Sequence, residues 1–110
     1  MSKVGVIAVA VAAPGRADAV ADRLKRAVTA MHAEGGTEIY SVHRDAKDER
    51  TFWFFELYTD RAAMVEHARG DALRELLADL EPLLEKGSEI HVVVPQAAKG
   101  LAIRTPDMTN

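Results

Sequence analysis

The chain of 110 residues contains no cysteine. That absence excludes disulfides, thiolate nucleophiles, iron–sulfur ligation and cysteine-based zinc sites at once. It also fits a reducing compartment, so a cytoplasmic location is expected. An excess of one charge sign is lacking too: the formal net charge is −3 and no basic stripe runs along the chain, which leaves nucleic acid without an electrostatic footprint. No stretch is long and apolar enough to span a membrane. Glycine is missing from the places where phosphate chemistry would need it, because Gly35-Gly36 reads as a helix stop and not as a loop after a strand. No serine occupies a nucleophile-elbow context. His32, His43, His67 and His91 show no metal-ligand spacing, so no metal site is expected. His32 suits a helix C-terminus, where a cation meets the macrodipole, while His43 and His91 read as exposed strand positions.

Aromatic residues are scarce as well, but they are not scattered. Of the six in the chain, Phe52, Trp53, Phe54, Phe55 and Tyr58 fall within one short run, with Glu56 among them. A carboxylate in an aromatic strand costs free energy unless something pairs with it or uses it.

The remaining pattern supplies a frame for that run. Lys3 followed by VGVIAVAVAA reads as a buried strand closed by Ala13-Pro14-Gly15. A signal peptide is the rival reading, but its basic region would be a single lysine and its cleavage would delete the only strand before the first helix. Ala17, Val20, Ala21, Leu24, Ala27, Val28 and Met31 then repeat at helical steps from about Arg16 to His32, with Asp18, Asp22, Arg23, Lys25 and Arg26 on the wet side. Thr37–Arg44 and Thr51–Tyr58 read as strands joined by a charged hairpin tip. Asp60 is a good N-cap for a helix from Arg61 to about His67. After Gly70-Asp71 a further helix carries a stripe of Leu73, Leu76, Leu77, Leu80 and Leu84, ending near Pro82–Gly87, and Glu89–Val94 is the last strand.

The order is β-α-β-β-α-β, an α+β ferredoxin-like plan with an antiparallel sheet and helices on one face. One domain over residues 1–95 is expected, with a C-terminal tail over 96–110 that is either disordered or packed on a partner subunit. The strands are apolar at nearly every position, yet helices cover one sheet face only. The other face predicts a homodimer built sheet to sheet.

On the third strand Phe52, Phe54, Glu56 and Tyr58 share one side, and Trp53, Phe55 and Leu57 the other. If the first set faces the helices, Glu56, Tyr58 and His67 converge on a partly apolar cavity, where burial raises a carboxylate's pKa toward that of a useful general base. Spacing alone leaves a second reading open, in which Glu56 and His67 merely bond each other or the backbone and lock strand to helix.

With this frame in place, FWFFELYTDRAAMVEH resembles the antibiotic biosynthesis monooxygenase domain family, the small dimeric α+β barrels. The resemblance rests on Glu56, Tyr58, Asp60 and His67, with Pro14-Gly15, Glu34-Gly35, Tyr40 and Leu80–Leu84 as further matches. It covers roughly Val4 to Val94. It implies a homodimeric barrel with a pocket between sheet and helices in each subunit. It also implies a cofactor-independent oxygenation of a small quinol- or anthrone-like aromatic by O2, with His67, Glu56 and Tyr58 as catalytic residues and Phe52 and Phe54 holding the substrate. Haem degradation, another activity in the family, would place its Asn, Trp and His at Ala8, Tyr58 and Leu77, so the iron ligand is missing. An isomerase of a phosphorylated sugar would call on Arg44, Arg61 and Arg69, and a non-catalytic ligand-binding dimer is the remaining alternative.

Overall fold

The computed structural model describes residues 2–103. Nine residues of alternating burial form β1 (Val4–Ala12): Val4, Val6, Ala8, Ala10 and Ala12 point into the core. Gly15, at φ +78°, turns the chain into α1 (Ala17–Met31). This helix buries Val20, Leu24, Ala27 and Met31, the stripe that its helical spacing dictates. Arg23 departs from the expected wet face. Its side chain is largely buried and its Nε donates to Asp79 Oδ2 at 2.8 Å, tying α1 to the last helix.

β2 (Thr37–Arg44) and β3 (Thr51–Tyr58) follow as an antiparallel hairpin, and α2 (Arg61–Arg69) and α3 (Asp71–Leu80) meet at Gly70. β4 (Leu84–Val93) completes a sheet of order β2-β3-β1-β4 in which every neighbouring pair is antiparallel. This is the ferredoxin-like arrangement, with α1, α2 and α3 on one face.

Two expectations about the C-terminal half are corrected. Leu84 does not close the α3 stripe; it opens β4, five residues before the expected start at Glu89. The reason is Pro82, which cannot continue the helix and leaves a single 3-10 turn, Glu81–Leu83, before the chain extends. The early part of β4 pairs irregularly, with register shifts around Val9, Val11 and Ala12, so alternation there was unreadable. Leu77 is also not buried: 48% of its surface is exposed. It lies outward of Leu76 and Leu80, on the flank where β4 extends beyond the helices and leaves Ile90 61% exposed.

The core gathers Val6, Ala8 and Ala10 of β1, Phe52, Phe54 and Tyr58 of β3, the α1 stripe, and Leu76 and Leu80. Alanines along β1 leave room for the phenyl rings opposite, since Ala8 pairs with Phe54 and Ala10 with Phe52. The other sheet face has no helices. There Ile7 is 42% and Trp53 43% exposed, with Val9, Val11 and Phe55 half-buried beside them. Trp53 secures its polar end by donating Nε1–H to Asp45 Oδ2 at 2.9 Å. Leu57 departs from this side's pattern and is buried, at the end of the sheet where Lys3 N donates to Ile103 O at 3.4 Å. Ile103 thus meets Lys3 just before β1, and residues 104–110, the remainder of the expected tail, lie outside the described residues.

Candidate functional site

Local structure delivers the polar residues to one end of the core. Alternation along β3 turns Glu56 and Tyr58 toward the helices. Asp60 then caps α2, its Oδ1 accepting from Ala63 N at 2.8 Å, which fixes the helix start and carries His67 back over the sheet. On the far side, the turn after α1 brings Glu34 in. Thr37 N donates to Glu34 O at 3.1 Å and Thr37 Oγ1 to Glu34 Oε1 at 2.8 Å, so both backbone and carboxylate are held. The approach is close enough to need glycine: a Cβ on Gly36 would stand 2.6 Å from Ala63 Cβ of α2.

His67, 6% exposed, lies between two carboxylates. Its Nδ1 is 2.7 Å from Glu34 Oε1, and its Nε2 is 3.9 Å from Glu56 Oε1. An ionised carboxylate only accepts, so the Glu34 bond places a hydrogen on Nδ1, and Nε2 is turned toward Glu56. Glu56 Oε1 in turn accepts a short hydrogen bond from the Tyr58 hydroxyl. Two aromatic rings flank the imidazole, Tyr58 at 5.3 Å and Tyr40 at 5.5 Å between centroids. Tyr40 is also the cross-strand partner of Glu56 in the β2–β3 register.

Burial dominates the electrostatics. Glu56 is 8% exposed, and desolvation raises its pKa above the ordinary 4.5, although the Tyr58 hydrogen bond and the His67 charge work in the opposite direction. Tyr58 is raised from 10.0, first by burial and then by donating to Glu56, which favours the phenol over the phenolate. Tyr40 is raised as well, by burial and then by the nearby Glu56 and Glu34 carboxylates, with Arg23 opposing. These groups form a proton-holding cluster: one imidazole between two carboxylates, one of them inclined to protonate, and two phenols that stay neutral.

Two recesses flank the cluster. A smaller one of about 260 Å³ is lined by Glu34, Gly36, Thr37, Ala63, Glu66, His67 and neighbours. A larger groove of about 540 Å³ runs between α1 and β2, walled by Ala21, Leu24, Val28, Val42 and Phe52, with Tyr40 at the end nearest His67. Glu56, Tyr58 and His67 are thus brought together. They do not jointly line an open cavity: Glu56 and Tyr58 border neither recess. Phe52 floors the larger groove, whereas Phe54 packs in the core. Arg44 stands at the groove, but Arg61 and Arg69 lie on α2 away from it. Among the described residues no group of three or more His, Asp or Glu side chains is placed to hold a metal ion.

Glu34 and Tyr40 were not among the expected site residues. Both stood in the motif as matches, but the role of each depends on long-range placement, 33 residues separating Glu34 from His67. The only local signal for Tyr40 was its place two residues before Val42, on a strand that alternates weakly.

Comparison with known proteins identifies structures of the same fold. A Nitrosomonas europaea protein of unknown function is 30% identical, with 93% of this chain and 97% of that one covered at a TM-score of 0.82. A Pseudomonas aeruginosa structure is 29% identical, covering 88% and 97% of the two chains at a TM-score of 0.80. A structure described as an antibiotic biosynthesis monooxygenase matches at 23% identity, over 87% and 99% of the chains with a TM-score of 0.77, and at that identity shows the shared fold. No curated protein matches. The family model for antibiotic biosynthesis monooxygenases matches residues 3–79, which take in β1, the Glu34 turn, β3 and the whole of α2. By that match, which spans well over half of its length, the chain belongs to the antibiotic biosynthesis monooxygenase family.

Proposed function

We propose that this protein is a cofactor-independent monooxygenase of a small phenolic aromatic, quinol- or anthrone-like, working as a cytoplasmic homodimer. The observation that carries the reading is the imidazole of His67, fixed by Glu34, turned by its Nε2 toward Glu56 and separated from an apolar groove by one tyrosine ring. The substrate ring lies in the α1–β2 groove on Phe52, against Tyr40, and Phe54 backs that wall from the core. Its acidic proton passes to His67 or Glu56, beyond the Tyr40 ring, and Tyr58 holds Glu56 in place. The resulting anion is electron-rich enough to reduce O2 directly. At a methylene carbon the balance is CH2 + O2 → C=O + H2O: two C–H bonds break, one oxygen atom enters the carbonyl and the other leaves as water. The substrate supplies all the electrons, so no separate reductant is needed. The apolar walls exclude water from the anion.

Oxygen uptake with a panel of anthrones and quinols tests this. Wild type should consume O2 in step with product, and the doubly substituted His67→Ala/Glu56→Gln protein should be slower by about 100-fold or more, the usual contribution of a general base. Uptake unchanged in that variant sinks the proposal. The dimer has its own check. Burying Ile7, Trp53 and Phe55 of one sheet against those of a second copy removes the exposed apolar face. Sedimentation should give a dimer for wild type and a monomer for Ile7→Glu, and a monomeric wild type is the contrary result.

A non-catalytic ligand-binding dimer is favoured by one feature, the inward direction of His67 Nε2. Ligand affinity with no turnover across the panel would decide for it.

A further inference from the structure

The α1–β2 groove has an apolar interior and a cationic rim. Leu24, Val28, Val42 and Phe52 form walls and floor, and the only formally charged side chains lining it are Lys25 and Arg44. In a protein of net charge −3, two cations and no carboxylate among the lining residues are a local inversion of sign, with the Asp18 carboxylate set back behind Arg44. Lys25 is exposed on α1, and its side chain forms no ion pair among the described residues. Arg44 is differently placed. Its guanidinium carbon stands 5.1 Å above the centre of the Phe52 ring, and its Nη2 donates to Ala17 O at 3.0 Å and Asp18 Oδ1 at 3.2 Å. The carbonyl and the ring hold Arg44 over the groove floor, whereas Asp18 is 96% exposed and free to turn away into water.

From this we infer that the groove selects an aromatic acid: a flat ligand of two or three fused rings bearing one carboxylate. The rings lie against Ala21, Val28, Tyr40 and Val42, above the buried Leu24 and Phe52, and the carboxylate reaches the rim between Lys25 Nζ and Arg44, displacing Asp18. A volume of about 540 Å³ accommodates such a ligand and falls within the usual range for small-molecule sites, roughly 300–1,000 Å³. The inference deepens the oxygenase reading by naming its substrate class. It rests on that reading only for the groove being the substrate's seat, since binding is measurable without turnover.

The probe pair is naphthoate and naphthylmethanol, alike in shape and different in charge. Amide chemical-shift titration of the full-length protein reads both affinity and location. Naphthoate should bind about fivefold tighter than the alcohol at low salt, the scale of two partly exposed charge contacts, with shifts concentrated at Ala21–Val28, Tyr40–Arg44 and Phe52. High salt should shrink that advantage, because rim charges are screened. Lys25→Gln, an exposed substitution, should remove most of the difference while leaving the alcohol's affinity in place. Val28→Trp should block both ligands by filling the groove; an unchanged circular dichroism spectrum shows that it is folded, and if it is not, Lys25→Gln together with the shift map decides. Equal affinity for the two probes, shifts mapping elsewhere, or discrimination that survives Lys25→Gln overturns the inference. The two proposals fail separately. Charge-selective binding without oxygen uptake would sink the oxygenase reading alone, and uptake on neutral quinols without charge-selective binding would sink the aromatic-acid assignment alone.

Discussion

Phe52 and Tyr58 stand at opposite ends of one strand face, both almost fully buried, but by different means. At the Phe52 end the neighbours are Ala10, Leu24 and the other apolar residues of the core, and burial needs only shape. At the Tyr58 end every buried atom has a specific obligation: Tyr58 to Glu56, Glu56 across to His67, His67 to Glu34, and Glu34 to Thr37. No buried side-chain nitrogen or oxygen among the described residues is left without a partner. An apolar end tolerates repacking and a polar end does not, because a half-satisfied network costs more than an apolar core. One strand therefore combines a forgiving half, next to the groove, with an exacting half that holds protons.

Substitutions should separate the two ends. The largest stability loss is expected from Phe54→Ala, about 3–5 kcal/mol by denaturant unfolding, because the cavity opens at the centre of the core. Tyr58→Phe should cost less, about 1–3 kcal/mol, for the loss of the one hydroxyl that donates to the buried Glu56. Its cost should also depend on pH in a way that Phe54→Ala's does not. The Tyr58 bond favours ionised Glu56, so the penalty grows as pH rises and Glu56 ionises.

Glu56→Gln should have a smaller effect, visible chiefly as a slope. Burial raises the pKa of Glu56 in the folded protein above its ordinary 4.5, so the folded state binds the extra proton between those values. The stability due to this group is fully present below pH 4.5 and is lost as pH rises through the folded pKa. Thermal unfolding across that window should show wild type losing stability relative to Glu56→Gln; parallel curves would mean that Glu56 is not desolvated. The smallest effect is expected at Leu77→Lys, within about 0.5 kcal/mol, since that leucine is already half in water. A loss above that size in dilute monomer would show that something covers the β4 flank.

What the sequence made legible follows the same division. Alternation along β3 is strict, so the side taken by Phe52, Phe54, Glu56 and Tyr58 was readable from the chain, and Asp60 marked the start of α2. Leu77 and Leu84 were misread for a physical reason. Helical periodicity identifies an apolar stripe but not how far the sheet beneath it extends, and a proline near the helix end gives the break without the register of the strand that follows. Glu34 lay beyond local pattern altogether. Its partner is chosen by the turn that ends α1, and nothing in the spacing of Glu34 and His67 encodes their meeting. The groove was hidden likewise, because Lys25 and Arg44 belong to different elements and look like ordinary surface cations in sequence.

The contact between Gly36 and Ala63 has a consequence for tuning. These are among the smallest side chains available, and they set the thickness of the wedge between the Glu34 turn and α2. Enlarging either position acts as a shim. Each added carbon would move the carboxylate away from the imidazole without touching either group, and a strong, short bond would weaken toward a water-bridged one. The length of the Glu34–His67 bond is thereby adjustable from a site with no chemistry of its own, and two small residues serve as its calibration screw.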